Sequence, residues 1–594
     1  MMLIATKTNG ATPLVMACRN GHYDVVEYLV DRCNADIEQP GSVVFDGETI
    51  EGAPPLWCAA AAGHFGVVKF LVKRGASVNS ITKTNSTPLR AACFDGHYEI
   101  VKFLVEQGAD IEVSNRHGHT CLMIACYKGH YQIAHFLLRL GANVNRKSVK
   151  GNTALHDCAE SGSLNILKML IEHGAVMDVD SYGMTPMLAA SVTGHSHIVE
   201  YLIQLPQITR QASIDALELL GATFVDKKRD MIGALNLWKR AMRLRYAYGL
   251  AKLPKPPQLV TVEAYEHSRE KRTIEELEDL LADPDEMRMQ ALLIRERILG
   301  PAHPDTSYYV RYRGAVYADA GKFSRCVSLW SYALDMQQAM LEPLNPMTQS
   351  SLFSFMELFS FMMGDEGRLI ARRRRVPSVS FEDMLQVLDK AVWEVQAGLA
   401  KPPQDPGHLY KVLVIALHLA CLAVKLLPSL GTAESQRTHA TIFRLVSLNA
   451  RGRLGHTALH IACSEEAGLV VRLFRYPACR FPSTTLVTSL LKAGADVSAL
   501  DDTGSSALHV AARSSPCPGP LARALLASGA HLDARDGSGR TFAQLLGPAQ
   551  PLHTICNPLQ YTTLACLAAR TIRAHSIPYL GQIPRHLEPF VTQH

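Results

Sequence analysis

The feature that most constrains this chain is a segment that recurs at a nearly constant interval. A Thr-Pro-Leu-like motif begins at Thr12, and its equivalents stand at positions 54, 87, 120, 153 and 185. From position 54 the intervals are 33, 33, 33 and 32 residues. This is the period of ankyrin repeats, each of which is a β-turn followed by two antiparallel helices. We therefore predict an N-terminal ankyrin solenoid over residues 1–205.

Each part of the repeat has a structural role. The Thr-Pro step starts the first helix, because proline is tolerated in the first helical turn. Gly-His, as in Gly63-His64 and Gly96-His97, ends that helix and forms the tight turn. The run Val25-Val26-Glu27-Tyr28-Leu29-Val30 is typical of the apolar stripe on the second helix.

A second, less regular ankyrin array is predicted over residues 451–550. Its repeats begin at Gly455-His456-Thr457-Ala458-Leu459-His460 and at Gly504-Ser505-Ser506-Ala507-Leu508-His509. The matching helix ends are Gly494-Ala495 and Gly529-Ala530.

The segment 206–400 between the two arrays has tetratricopeptide spacing, in which small residues face large ones across two helices. One copy places its key residues at offsets 0, 3, 7, 9, 12, 16 and 19: Gly314, Tyr317, Gly321, Phe323, Cys326, Trp330 and Ala333. Gly221 and Trp238 belong to a second copy with one inserted residue. Residues 401–450 are predicted as a helical connector. Its apolar run Val412–Val424 is shorter than the roughly 18 residues of a membrane span and predicts a buried helix.

The predicted fold class is thus all-α, a repeat solenoid with a tetratricopeptide-like middle and a second ankyrin block, and with no strand-rich segment. The composition fits a folded protein, with 47% apolar and 19% charged residues. A net charge of +5 over 594 residues argues against a polybasic nucleic-acid binder. Residues 1–204, however, carry 16 basic and 19 acidic side chains, so a cation-binding site is expected there.

Cellular context is indicated only weakly. The 14 cysteines form no CxxC motif and several occupy alanine-like helix positions, which favours a reducing, intracellular compartment. The opening Met1-Met2-Leu3-Ile4-Ala5 is too short for a signal peptide. The run Arg372–Arg375 would suit a nuclear-import signal or a nucleic-acid patch, but a solvated loop is the favoured interpretation.

We expect no catalytic centre, cofactor or metal site, since none of the standard motifs for these is present. His156-Asp157-Cys158 looks like a fragment of a triad. His156, however, occupies the histidine position of the Thr-Ala-Leu-His pattern of ankyrin first helices, which favours a structural role. A hydrolase using His156 and Cys158 is kept as a rival hypothesis.

An insertion in the first repeat is the best candidate for a binding site. Thr12 and position 54 are 42 residues apart, and the extra residues lie around 41–52. This segment holds Asp46, Glu48 and Glu51 and no basic residue. Solenoid insertions often fall on the binding face. Phe45-Asp46 combines an aromatic ring with a carboxylate, a pair suited to a guanidinium group.

Neighbouring repeats add to this candidate site. Trp57 and Asp95 lie on or near first helices, and Asn85-Ser86 precedes one. First helices and turns line the concave side of the solenoid, so Asp46 and Asp95 are predicted to converge on one cation. The alternative for Asp95 is a plain surface role, because polar residues commonly precede the Gly-His turn.

The segment 562–591 resembles two docking motifs of cullin-ligase receptors. Thr563 and Leu564 open an amphipathic helix with Leu567, Ala568 and Ile572, as in an elongin-binding box. Ile583, Pro584 and Leu587 follow, as in a cullin-2 box. The alternative is a short amphipathic helix that is simply packed.

Taken together, the chain resembles the fem-1 homolog family over essentially its whole length. Three segments carry the resemblance most specifically: Asn85-Ser86-Thr87-Pro88-Leu89-Arg90-Ala91-Ala92-Cys93-Phe94-Asp95-Gly96-His97, Leu217-Glu218-Leu219-Leu220-Gly221-Ala222 and Arg311-Tyr312-Arg313-Gly314-Ala315-Val316-Tyr317-Ala318-Asp319. The similarity is greatest to the A and C branches.

The resemblance implies a non-catalytic substrate receptor of a cullin-2 RING ubiquitin ligase. Elongin B/C, cullin-2 and a RING subunit would be partners of the tail (555–594), and proteins with C-terminal degrons ending in arginine would be substrates. The family's degron pocket corresponds here to Phe45, Asp46, Asn85, Ser86 and Asp95.

Other expectations are negative or open. Family members begin about thirty residues earlier, so the solenoid is expected to start on an uncapped repeat. No nucleic-acid or membrane partner is expected, a cytoplasmic location is expected, and nuclear location and homodimerisation stay open. The rival within binding proteins is an ankyrin scaffold or signalling adaptor without a ligase role.

Overall fold

The structure is a computed structural model that describes residues 10–258, 261–364, 369–370, 374–401, 406–466, 480–514, 516–546 and 551–594. The chain divides into two compact units, Met1–Thr306 and Ser307–His594. We describe each unit by itself.

The first unit begins with a stack of antiparallel helix pairs, as the 33-residue period predicts. The first helices of the pairs are Pro13–Asn20, Pro55–Ala61, Pro88–Asp95, Cys121–Lys128, Ala154–Ser161 and Pro186–Thr193. The second helices are Tyr23–Asp31, Phe65–Lys73, Tyr98–Glu106, Tyr131–Arg139, Leu164–Glu172 and Ser196–Ile203. Their apolar faces join in one core that runs from Ala11 to Leu220.

The repeated threonine starts its helix by capping it. The Thr12 and Thr87 hydroxyls each accept a hydrogen bond from the backbone N–H three residues on, at 3.2 Å. Such a bond satisfies one of the four N–H groups that a helix start leaves without a partner. The interval between repeats in the sequence is therefore the spacing between successive N-termini of first helices.

The Gly-His turn links four of the repeats to the one before, through His64, His97, His130 and His195. The His97 ring donates from Nε2 to the carbonyl of Ala61 at 3.1 Å, and His130 donates to that of Phe94 at 3.0 Å. A Cβ atom on Gly63 would lie 2.5 Å from the His97 ring. Gly63 also has a φ of +81°, a left-handed conformation that favours glycine. The turn thus needs glycine both for its backbone and for the approach of the next histidine.

The insertion in the first repeat is a β-hairpin, and the expectation that no segment would be strand-rich is wrong at this point. Strand β1 (Gly41–Phe45) pairs antiparallel with β2 (Glu48–Ala53). The sequence carries the signal, since Val43 and Val44 are β-branched, Phe45 is aromatic and Asp46-Gly47 is a favoured two-residue hairpin turn. Both turn residues have positive φ, 49° at Asp46 and 82° at Gly47.

Both tetratricopeptide copies show the predicted contact of small with large residues. Helices Arg210–Thr223 and Met231–Arg245 pack in the first unit, and a Cβ atom on Gly221 would lie 2.3 Å from Trp238. In the second unit, a Cβ atom on Gly314 would lie 2.4 Å from Trp330. Glycine at both places lets the indole ring sit against the partner helix backbone.

A buried ion-pair network holds the end of the first unit together. Glu218, 1% exposed, accepts two hydrogen bonds from Arg245, at 3.0 and 2.8 Å. Arg297 also bonds Glu218 and reaches Glu270 at 2.8 Å, and Lys255 lies 2.8 Å from Glu270. Burial acts to raise the pKa of Glu218, but the Arg245 hydrogen bonds and the charges of Lys255 and Arg297 outweigh it, so that pKa is lowered.

The remaining helices of the first unit are short or lie beside this network: Ile274–Asp279 and Pro284–Leu299. A helix at the division, Pro304–Asp319, leads into the long helices of the second unit: Phe323–Met340, Pro346–Gly364, Phe381–Ala400, Pro406–Leu426 and Thr432–Ser447. Leu369–Ile370 pairs with Arg374–Arg375 as a two-stranded ladder, so that Arg374 and Arg375 are not in a plain loop. Arg372 and Arg373 lie outside the described residues.

The apolar helix of the connector is a core helix of the second unit, as the short apolar run Val412–Val424 predicts. By composition Gly407–Ser429 could cross a membrane, but 67% of its most apolar window is buried inside the structure. His418 in its middle is 3% exposed, and burial lowers its pKa to about 4. The histidine that interrupts the apolar run is therefore an uncharged core residue at neutral pH.

The second ankyrin block is linked by the histidine of the Ala-Leu-His motif, as at His156 of the first array, and not by a Gly-His turn among the described residues. Its helices are Ala458–Cys463, Thr484–Lys492, Ala507–Ala512 and Gly519–Ala527. His460 and His509 donate from Nε2 to the Ser505 and Ala534 carbonyls of the following segments, each at 3.0 Å. These hydrogen bonds support the interpretation that the Ala-Leu-His motifs hold one repeat against the next.

We predict that Glu218→Gln lowers the free energy of unfolding by about 3–5 kcal/mol, because it leaves buried Arg245 and Arg297 without their shared counter-charge. Chemical denaturation followed by circular dichroism measures this loss. Since the pKa of Glu218 is lowered, the contribution is present above its unfolded pKa and is lost as acid protonates it. The control is Glu200→Gln, whose side chain is 40% exposed and pairs with Arg240. A loss for Glu218→Gln no larger than the control's would contradict the prediction.

Candidate functional site

The hairpin is fixed to the solenoid at both ends. At its start the Ser42 N–H donates to the carbonyl of Gly10 at 2.8 Å, and near its end the Lys83 N–H donates to that of Glu51 at 3.1 Å. Lys83 also forms an ion pair with Glu51 at 2.7 Å. Asp46, at the tip, is therefore held in place relative to the neighbouring repeats.

Phe45 and Trp57, both predicted site residues, pack against each other. Their rings meet edge to face with centroids 5.5 Å apart. The chain's own Arg19 guanidinium lies over the Phe45 ring, 5.2 Å from its centroid. The stacking that the sequence suggested for a ligand is thus made within the protein, and Phe45 helps to position the hairpin.

Trp57 also connects the hairpin to the turn that holds Asn85 and Ser86. The indole N–H donates to the Ser86 hydroxyl at 3.2 Å. Ser86 is 3% exposed, while Asn85 is exposed with a φ of 58°. The structure therefore brings Phe45, Trp57 and Ser86 into one chain of contacts and places Asn85 at its rim.

Arg90 joins this group, although sequence analysis did not select it. Its Nη1 donates to the Ser86 hydroxyl at 3.3 Å, and its buried Nε has no hydrogen-bond partner among the described residues. No acidic side chain within the described ranges forms a salt bridge with it. Burial, the largest effect, lowers the pKa of Arg90. A largely buried cation without a counter-charge is a candidate receptor for an anion.

A signal for Arg90 exists in the repeat alignment. In each N-terminal repeat of this chain the first helix has an apolar residue directly after its first position. The residue that follows it is Val15, Trp57, Met123, His156 or Leu188 in the other repeats. Only this repeat of the N-terminal array places a permanently charged side chain there.

The charge of Asp46 acts on the carboxyl group of Asp95. Burial, the largest effect, raises the pKa of Asp95, and the negative charge of Asp46 raises it further. His97, Lys128 and His130 act in the opposite direction but do not reverse the shift. A cation bound between the two carboxylates would relieve this repulsion. We use the name receptor surface for Phe45, Asp46, Trp57, Asn85, Ser86, Arg90 and Asp95.

The triad-like segment His156-Asp157-Cys158 is buried, and its contacts are those of a structural element. His156 is 1% exposed; its Nδ1 accepts from the Thr153 N–H at 3.2 Å, and its Nε2 donates to the Met184 carbonyl at 3.0 Å. Both ring nitrogens are thus committed to backbone groups. Cys158 is fully buried, and burial raises the pKa of Asp157. This geometry does not provide a base and a nucleophile that a substrate could reach.

The predicted elongin-binding segment forms a helix, Leu564–Ala574, which we call the docking helix. Thr563 is its N-cap and accepts from the Cys566 N–H at 3.2 Å. Cys566 and Ala569 are buried, whereas Leu564 and Leu567 are 85% and 47% exposed. One side of the helix packs on the second unit and the other presents apolar side chains to solvent.

The other predicted docking residues share this partial exposure. Ala568 is exposed and Ile572 is half-buried on the docking helix. In the following segment Ile583 is half-buried, Pro584 is exposed and Leu587 is 41% exposed. These side chains precede the last helix, Glu588–Gln593. Exposed leucines on a short amphipathic helix are typical of a surface that a partner covers.

Comparisons with known proteins agree with this architecture. A family model of ankyrin repeats matches residues 2–82, 56–148 and 144–212. Fem-1 homolog A of Danio rerio is 60% identical over 597 residues, covering 100% of this chain and 95% of the relative. Fem-1 homolog C of Homo sapiens is 57% identical over 594 residues, with 100% and 94% coverage. A fem-1 homolog of Drosophila melanogaster is 56% identical over 640 residues, with 100% and 95% coverage.

Identity at this level along the full chain, together with the repeat architecture, makes this a repeat-based protein-interaction adaptor. The chain belongs to the fem-1 homolog family.

Proposed function

We propose that the chain is the substrate-recognition subunit of a cullin-2 RING ubiquitin ligase. Its receptor surface would bind protein C-termini that end in arginine, and its tail would dock elongin B/C and cullin-2 with the RING subunit. In the cytoplasm the complex would direct the bound protein to ubiquitination and proteasomal degradation. The adaptor contributes position rather than chemistry, because no side chain in this role forms or breaks a bond.

The observation that carries the proposal is the separation of charge on the receptor surface. The receptor surface contains two carboxylates, Asp46 and Asp95, and also Arg90, a largely buried guanidinium without an acidic partner among the described residues. Arg90 is joined to the hairpin through Ser86 and Trp57. A C-terminal arginine carries a guanidinium on its side chain and a carboxylate on its backbone, so it offers one complementary group to each. Arginine is also suited to paired carboxylates by its planar set of donors.

The tail supports the second half of the proposal. The exposed leucines of the docking helix lie at the positions that the resemblance to an elongin-binding box assigns to contact. Ile583, Pro584 and Leu587 follow as in a cullin-2 box. The second candidate function, an adaptor without a ligase role, retains the receptor surface but assigns the exposed tail to another partner.

We predict that Asp46→Asn or Asp95→Asn weakens binding of an arginine-ended peptide by about 2–5 kcal/mol, because one partner of a charge-assisted contact is removed. Fluorescence anisotropy with labelled peptides that differ only in a final Arg or Ala measures this. Binding of the alanine-ended peptide should change much less. The control is Asp24→Asn, an exposed acid on the second helix of the first repeat. Equal losses for both peptides would contradict the carboxylate assignment.

Arg90→Gln tests the other end of the ligand. We expect this change to weaken the binding of a peptide with a free C-terminal carboxylate. The same peptide with a C-terminal amide should bind wild type more weakly, and its affinity should change little in Arg90→Gln, since the amide cannot use the Arg90 charge. If Arg90→Gln weakens both peptides equally, Arg90 does not recognise the carboxylate.

Binding of the arginine-ended peptide should strengthen as pH rises from acidic to neutral. The pKa of Asp95 lies above its ordinary value of 3.8, so a mildly acidic solution protonates part of it and removes one charge that holds the guanidinium. The same anisotropy titration at several pH values measures this. Comparing the pH dependence of peptide affinity in wild type and in Asp95→Asn separates the part due to Asp95 from any part due to the neighbouring His97 and His130. An unchanged pH profile in Asp95→Asn would show that this carboxyl does not contact the ligand.

Leu564→Asp should abolish co-purification of the full chain with elongin B/C and cullin-2, because a charge replaces the most exposed apolar side chain of the docking helix. The control is Leu559→Asp, which changes a leucine that is 88% exposed just outside the helix. Since both positions face solvent, neither change should unfold the protein. Retained cullin-2 association in Leu564→Asp would favour the adaptor without a ligase role.

A further inference from the structure

Four side chains with metal-binding chemistry meet beneath the docking helix. Possible ligand atoms of His531, Cys566 and His594 all lie within 4.8 Å of one another. Asp533 belongs to the same group, since its carboxylate lies 3.3 Å from His594 Nε2. In the described ranges, this is the one place where three or more such side chains come together in this way.

The four residues come from three separate elements. His531 and Asp533 lie in the segment after the last ankyrin helix, Gly519–Ala527. Cys566 is in the first turn of the docking helix, and His594 follows the helix Glu588–Gln593. A backbone hydrogen bond from the Arg535 N–H to the Gln593 carbonyl, at 2.8 Å, already joins the first element to the last.

The spacing within the cluster fits a tetrahedral ion. Zinc bonds of about 2.3 Å to sulfur and about 2.0–2.1 Å to nitrogen or oxygen place neighbouring ligand atoms about 3.5 Å apart. Cys566 Sγ lies 3.4 Å from His531 Nδ1, and His594 Nε2 lies 3.3 Å from Asp533 Oδ1. Two of the required edges therefore have the correct length. The ligand atoms of His531, Cys566 and His594 lie within 4.8 Å of one another, so the side chains would have to move inward to close around an ion.

The cluster also contains buried polar atoms that face one another without forming an aligned hydrogen bond, as His594 Nε2 and Asp533 Oδ1 do at 3.3 Å. His594 Nε2 and both carboxylate oxygens of Asp533 are buried and have no aligned hydrogen-bond partner among the described residues. The His594 side chain is 0% exposed and that of Asp533 is 11% exposed. Buried polar atoms without an aligned hydrogen bond are rare in folded proteins, and a bound ion would satisfy them. An ion at the centre would take one lone pair from His594 Nε2 and one from a single carboxylate oxygen of Asp533.

We propose that His531, Asp533, Cys566 and His594 form a structural zinc site that fastens the docking helix and the last helix to the second ankyrin block. The thiol of Cys566 gives up its proton to solvent on binding, and the thiolate and the Asp533 carboxylate together balance the two positive charges of the ion. One sulfur and two imidazoles favour zinc over magnesium or calcium, which prefer oxygen ligands. Four protein ligands make the site closed, as in structural rather than catalytic zinc sites.

The site would stabilise the side of the docking helix opposite its exposed leucines. Cys566 is fully buried, while Leu564 and Leu567 on either side of it in sequence face solvent. The metal would therefore hold the orientation of the apolar face without occupying it. The proposal is independent of the partners, because metal content is a property of the chain alone.

Metal analysis of the full-length chain, purified without a polyhistidine tag, tests the proposal. We expect inductively coupled plasma mass spectrometry to find about one zinc ion per chain in wild type and in Cys556→Ser, and almost none in Cys566→Ser. Cys556 is a suitable control because it is another buried cysteine of the same tail, at 6% exposure. Equal zinc content in wild type and Cys566→Ser would overturn the proposal.

A second measurement on the wild-type chain remains decisive if Cys566→Ser fails to fold. After the zinc is exchanged for cobalt(II), we expect the visible absorption of a tetrahedral site together with a thiolate-to-cobalt charge-transfer band. Absence of that band would show that the four side chains form only a packed hydrogen-bonded cluster.

Discussion

The contact of one repeat with the next is the interaction on which the first unit depends. A single ankyrin helix pair exposes an apolar face that it cannot cover, so it is stable only in a stack. Here the covered faces form one cluster from Ala11 to Leu220. Where a Gly-His turn is present, its histidine adds a hydrogen bond to the preceding repeat, as His64, His97, His130 and His195 do. The hairpin is bonded at Gly10 and Lys83 to the turns that precede two first helices, so its position depends on this stacking.

Charge is used in two different ways in the first unit. Around Glu218 every buried carboxylate faces arginine or lysine at bonding distance, which satisfies the network and makes it structural. On the receptor surface the charges are less fully compensated: burial and Asp46 raise the pKa of Asp95 in spite of nearby His97 and Lys128, and Arg90 has a buried Nε without a partner among the described residues. Unsatisfied charge costs stability, and a ligand of complementary charge would recover it.

The second unit divides the docking helix between two tasks. Its buried side, at Cys566 and Ala569, fixes the helix to the ankyrin block, and its exposed side, at Leu564 and Leu567, remains available. A short helix on a protein surface gains most of its stability from such tertiary packing rather than from its own propensity. The proposed metal cluster lies at the packed side, which links the stability of the tail to its presentation.

Local pattern determined much of this protein, because repeats and helix starts depend on residues close together in sequence. The 33-residue period, the capping threonines, the facing pairs Gly221–Trp238 and Gly314–Trp330 and the amphipathic tail could all be predicted in this way. Asp46 and Asp95 were selected as candidates because an insertion and a repeated turn mark them, and their role in binding stays a prediction. The hairpin was missed although Asp46-Gly47 signals it, because helical periodicity dominated the interpretation of the surrounding chain.

Only the tertiary structure decided which distant side chains share a site and which charges lack a partner. Arg90 became a candidate through its buried, unpaired Nε, and Phe45 proved to be stacked by Arg19 from the same protein. The meeting of His531, Asp533, Cys566 and His594 has no local spacing that a motif search could detect. The physical reason is the same in each case: burial and pairing depend on contacts between segments far apart in the chain, which a local pattern does not contain.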